Sequence, residues 1–165
     1  MAYFEDLTEY VYSGPVASRP GTNNIGWLEP EHEFEMATPS EDLLDRLWSL
    51  CSVSVDLSRG VHICPFCPKD VTCSFERNGR RLLLGAAEVR AFGADGTIYA
   101  APTLVYHYVQ VHHYRPPTEF VEATRNGPIP PNPEYFKRLE NLGLAWSPTA
   151  SGEGRRRVFP TSGPG

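Results

Sequence analysis

The sequence predicts an α+β domain: a small antiparallel sheet of hairpins, flanked by an N-terminal helix and two or three C-terminal helices, and clasped by zinc. Three observations predict it. A capped apolar helix pattern begins near Thr38. Period-two alternation and two hairpin turns fill Val53 to Tyr99. Helical patterns bounded by proline and glycine return after Pro102.

At 165 residues, 41% hydrophobic and 12% aromatic, the chain can bury a real core. One domain over residues 1–147 with a flexible tail over 148–165 is the simplest division. The formal charge of −5 argues against a nucleic-acid partner. No apolar run is long enough to span a bilayer, so no membrane association is expected. Met1 to Asp6 is acidic and is not read as a secretory signal. The expected location is cytoplasmic. There, the 4 cysteines read as thiols or metal ligands rather than disulfides.

Along the chain, residues 1–37 read as largely irregular, with Ser13 to Asn24 a loop and Trp27-Leu28 an anchor. Glu29 to Glu33 reads as an exposed acidic connection. Thr38 as N-cap, Pro39 at the first helical position and Glu41 closing a capping box predict a helix over 39–52. Leu43, Leu44, Leu47, Leu50 and Cys51 share its apolar face. Strands are then expected at Val53–Leu57, Val61–Ile63, Val71–Phe75, Leu82–Leu84, Val89–Phe92 and Thr97–Tyr99. Asn78-Gly79 and Gly93 to Gly96 supply the hairpin turns. Thr103 to His113 reads as a helix that ends before Pro116-Pro117. A short helix over Thr118–Thr124 and another begun by Asn132-Pro133 and ended by Gly143 complete the pattern.

The chemistry lies in Cys64-Pro65-Phe66-Cys67 and in the histidines that follow. Cys-x2-Cys-x39-His-x4-His can complete a tetrahedral zinc site from Cys64, Cys67, His107 and His112. The proline stiffens the loop, and flanking β segments would make it a zinc knuckle. His107 and His112 stand about 140° apart on an ideal helix. Their convergence is expected to need a loosened last turn. His62 and His113 compete with His112 as fourth ligand. A thioredoxin-like redox pair needs a βαβ setting that the pattern lacks, and inert core thiols are the bland alternative. Cys51 and Cys73 read as buried apolar residues. Tyr106, Tyr108 and Tyr114 read as core packing, with a pocket lining as the sharper alternative. Arg77, Arg80 and Arg81, with Arg155 to Arg157, read as a solvated face or a contact for an acidic partner. Three ligands and a water would instead make a Lewis-acid centre, with Glu88 or Glu119 as general base.

Gly26-Trp27-Leu28, Arg59 through Cys67, and Tyr106 through Phe120 with its His112-His113-Tyr114-Arg115-Pro116-Pro117 run resemble a small bacterial family of uncharacterised proteins. The resemblance covers about residues 1–125 and implies a bacterial, actinobacterial, cytoplasmic setting. It implies no activity.

The leading functional expectation is a zinc-stabilised binding or accessory protein whose partner is a protein or a small molecule. Zinc is expected to be structural rather than catalytic. The alternative is a zinc enzyme, hydrolytic, with an open coordination position. A nucleic-acid-binding zinc module ranks third.

Overall fold

The computed structural model describes residues 2–11, 21–58, 60–69, 74–151 and 158–159. Strand β1 (Thr22–Asn24) precedes helix α1 (Glu41–Cys51) and β2 (Val53–Val55). A long loop leads to β3 (Ser74–Arg77), β4 (Arg80–Leu83), β5 (Glu88–Phe92) and β6 (Ile98–Pro102). Helices α2 (Val105–His112), α3 (Thr118–Asn126) and α4 (Pro133–Asn141) follow, then β7 (Trp146–Pro148) and β8 (Val158–Phe159).

Helix α1 starts two residues later than its sequence pattern suggests. Ser40, not Thr38, is the N-cap, and its hydroxyl accepts the Leu43 N–H at 3.1 Å. Pro39 therefore lies outside the helix. Starting at Glu41 places both Glu41 and Asp42 in the first turn, where the helix dipole favours negative charge. The helix buries Leu44, Leu47, Trp48, Leu50 and Cys51. Each such apolar side chain contributes about 1.5–3 kcal/mol by leaving water. The helix packs on α2, α3 and β5, with Trp48 against Tyr106 at 4.9 Å between ring centroids.

The expected single antiparallel sheet is two sheets, and both are mixed. The larger runs β1-β6-β5-β2-β7, with β1 parallel to β6 and the other pairs antiparallel. The smaller runs β4-β3-β8, with β8 parallel to β3. The edge strands β1, Thr22-Asn23-Asn24, and β7, Trp146-Ser147-Pro148, are too short to carry a period of their own, so tertiary pairing makes them strands. Val61–Ile63 is not a strand. Asp56 turns the chain out of β2 with a φ of 51°, and His62 then ties the loop to Gly85 through one backbone hydrogen bond of 2.8 Å.

Other expectations hold. Asn78 and Gly79 have φ of 52° and 75°, as a type I′ hairpin requires. Asn132 caps α4 by accepting the Glu134 N–H at 2.9 Å, and Gly143 follows that helix with a φ of 70°. Tyr106, Tyr108 and Tyr114 are all buried in the core, as is Trp27. Thr149 is buried and joins Cys51 O and Ser54 Oγ by hydrogen bonds. Cys73, Arg59 and Arg155 to Arg157 lie outside the described residues.

Two ion-pair groups lock the layers. Arg77 is not a solvated cation: it is 7% exposed and bonds Glu41 at 2.7 Å and Asp45 at 2.8 Å, fixing β3 to α1. On β5, Arg90 and Glu88 pair at 2.8 Å while both are buried, and the Tyr10 hydroxyl donates to the same Glu88 oxygen at 2.6 Å. This cluster holds the N-terminal segment over the sheet.

Candidate metal centre

Cys64 and Cys67 sit on the loop between β2 and β3, and His107 and His112 on α2. The ligand atoms of all four lie within 4.8 Å of one another. Cys67 Sγ is 3.3 Å from His107 Nε2 and 3.4 Å from His112 Nε2. Cys64 Sγ is 3.3 Å from His112 Nε2. A tetrahedral ion with ordinary zinc bond lengths needs sulfur and nitrogen ligands about 3.6 Å apart. The observed edges are within a few tenths of an ångström of that, so one ion fits among the four atoms.

Helix α2 is continuous through His112, and its last turn opens as expected. The His113 and Tyr114 N–H groups both bond Tyr108 O, wider than the four-residue α step, and the chain reverses at His113, which adopts a left-handed φ of 57°. The cysteine loop lies across the end of the helix, so Cys67 reaches both rings. Their centroids are 4.9 Å apart and nearly perpendicular. The loop is tightened by the Cys67 N–H to Cys64 O bond of 3.3 Å, and the Phe66 N–H points at Cys64 Sγ at 3.4 Å. An N–H donor beside a sulfur lowers the cost of its thiolate form. Residues 60–63 before the cysteines form no strand, so the expected β segment on that flank is replaced by loop braced against α2.

His62 and His113 stand outside the cluster. His62 serves through its backbone at Gly85, and His113 caps α2 and accepts the Ala37 N–H at 2.9 Å. Neither carboxylate considered as a base belongs to the group. Glu88 is engaged by Arg90 and Tyr10, and Glu119 lies by a surface groove with Asp95 and Tyr99.

The surroundings are apolar. Cys64 is 2% exposed and His107 0%. Phe75 packs 4.9 Å from His107, and Phe66 5.3 Å from His112. Burial, with His112 beside it, pushes the His107 imidazole down to about 3, and burial also lowers His112. Burial raises the Cys67 thiol, partly offset by its hydrogen bond with Cys64. Both histidines are thus neutral and ready to donate lone pairs, while the thiols must release protons to an incoming cation. Two thiolates and two neutral imidazoles cancel a divalent charge, which suits a centre buried among aromatic rings.

A family model described as a domain of unknown function, DUF7919, matches residues 2–125. The chain belongs to that family. The DUF7919 match spans the cysteine loop and both histidines, and it ends within α3, leaving α4 and β7 beyond it. An uncharacterised family covering this stretch is what the resemblance implied. No curated protein and no solved structure matches the chain. Among the described residues, no helix is long and apolar enough to cross a membrane.

Proposed function

We propose that this DUF7919 protein is a zinc-stabilised binding or accessory protein. Cys64, Cys67, His107 and His112 are its ligands, and the metal is structural. The observation that carries the reading is the convergence of four donors within 4.8 Å, from a loop and a helix some 40 residues apart. Two sulfurs and two imidazoles in tetrahedral array select zinc over calcium or magnesium, which prefer oxygen. With four protein ligands no position is left for a substrate or an activated water, which favours the structural role over a hydrolytic centre. Arg77 and Arg81 are both paired to carboxylates, which weakens the nucleic-acid reading further. The cytoplasm of an actinobacterium is the setting that the family resemblance supports, and reading the cysteines as thiols or ligands fits it.

Elemental analysis and X-ray absorption of the purified protein test the assignment. One zinc per chain with two sulfur and two nitrogen neighbours is expected. Cys64→Ser and His107→Ala should each lose the metal. A water in the first shell, with only three protein ligands, would reinstate the enzyme reading.

A further inference from the structure

A second site lies on the outer side of the segment that precedes α1. The backbones of Glu35 and Ala37 bond to Arg115 and His113, which lays this segment across the end of α2. Together with Tyr3 to Asp6 it frames an open groove of about 340 Å³. Phe4 and Phe34 supply aromatic walls, and Tyr3 a third through the ring face that is not stacked on His32. Glu5, Asp6, Glu33 and Glu35 supply four carboxylates, against the single guanidinium of Arg115. Arg115 is 58% exposed and stands 3.8 Å from Glu35, too far to neutralise it well.

The groove is preformed. Asp6 accepts the Gly26 N–H at 2.8 Å and the Tyr114 O–H at 2.7 Å, so its carboxylate cannot swing away. Phe34 meets Phe66 and Tyr114 edge-on at 5.6 and 5.8 Å, which wedges one wall against the cysteine loop. The negative field is felt locally. Burial, then Glu5, Asp6 and Glu29, hold the Tyr3 phenol above its usual range.

We propose that this groove binds a basic side chain, arginine by preference, presented by a partner polypeptide. Aromatic faces attract a cation through their quadrupoles. A guanidinium can stack on a ring and fork a carboxylate at once, which an ammonium cannot. The volume admits a side chain or two and no folded element. Phosphate-bearing ligands are repelled by the four carboxylates. The same segment carries Glu29 and Glu31 beyond the groove, so an extended chain with further cations gains more than a free amine. The site is independent of what fills the metal centre.

An NMR titration of the full chain tests this. The probe is the blocked peptide Gly-Arg-Gly-Arg-Gly, with lysine and citrulline analogues beside it. The arginine peptide should shift the amides of residues 3–6 and 33–35, and added salt should weaken it. The lysine peptide should bind more weakly, and the citrulline peptide about tenfold more weakly or worse. The Glu33→Gln/Glu35→Gln variant, changed only at exposed positions, should keep its melting temperature and lose affinity about fivefold. Equal binding of the citrulline peptide, an unaffected double variant, or shifts mapping elsewhere would overturn the proposal. Tetramethylammonium binding as tightly as the arginine peptide would overturn the polypeptide occupant.

Discussion

Cys67 Sγ lies 3.3 Å from Nε2 of His107, 40 residues further along the chain. Closing that loop without a bond costs entropy that weak contacts between neutral groups repay poorly. A cation shared by both atoms would repay it.

Metal removal should therefore soften the loop more than the core. Chelation, or Cys67→Ser, should cost on the order of 3 kcal/mol and lower the melting temperature by about 6–12 °C. Hydrogen exchange should rise at residues 60–69 and stay slow in β5 and α1. Calorimetry and exchange mass spectrometry read the two effects; uniform loss of protection would contradict a local clasp.

Acid should act through the histidines. In the chelated protein His107 is held down to about 3, and His112 is also lowered. The unfolded chain takes up these protons below about pH 6.5 and the folded one does not. Stability is thus full above pH 6.5 and falls towards pH 3, by at most ~1.4 kcal/mol per pH unit for one histidine. Asp6 and Glu88, raised by burial, act in the opposite sense above the unfolded carboxylate range. The difference in urea midpoints between the parent chain and its His107 variant, from about pH 7.5 to 5, isolates the histidine effect. His107→Phe, which keeps a ring beside Phe75, should flatten the curve.

Ser40→Ala should destabilise by about 1 kcal/mol, while Thr38→Ala should be near neutral. The hydroxyl of Ser40 accepts an otherwise orphaned helix N–H. Thermal melts of the two variants decide which residue caps α1.

Gly85→Ala should disturb the cysteine loop from outside it. Gly85 has a φ of 106°, and an added Cβ would collide with the carbonyl oxygen of His62. Relief requires moving His62, two residues before Cys64. Lower stability and faster zinc loss to a chelator are expected together; a melt shift with unchanged metal release would separate the two.

Glu88→Ala should cost about 3–5 kcal/mol, because it strands the buried Arg90 guanidinium. Adding Arg90→Met should recover part of that loss. Denaturant unfolding of both variants measures the coupling.

The helices and the ligand set were legible in the chain because their signals are local. Asn132-Pro133 and Gly143 bracket α4, and Asn78-Gly79 makes a hairpin, through backbone preferences that hold wherever those residues stand. Cys64 and Cys67 stand at a spacing that suits one metal ion, and the fold brings them to His107 and His112. The cap of α1 was misplaced: Thr38 with Glu41 matches a capping box, while Ser40, an equally good cap type, is the residue whose hydroxyl meets the helix N–H.

What the chain determined by itself is thus the α+β class, the order of most elements and the four donors. Tertiary structure decided the rest. It recruited β1 and β7 into a mixed sheet, since a three-residue strand exists only by pairing, here with β6 or β2. It chose His112 over His62 and His113, because a donor's reach depends on where the loop lies against the helix and not on spacing. It also set Tyr3, Phe34 and Glu33 around one groove, a juxtaposition of distant residues that no local preference encodes.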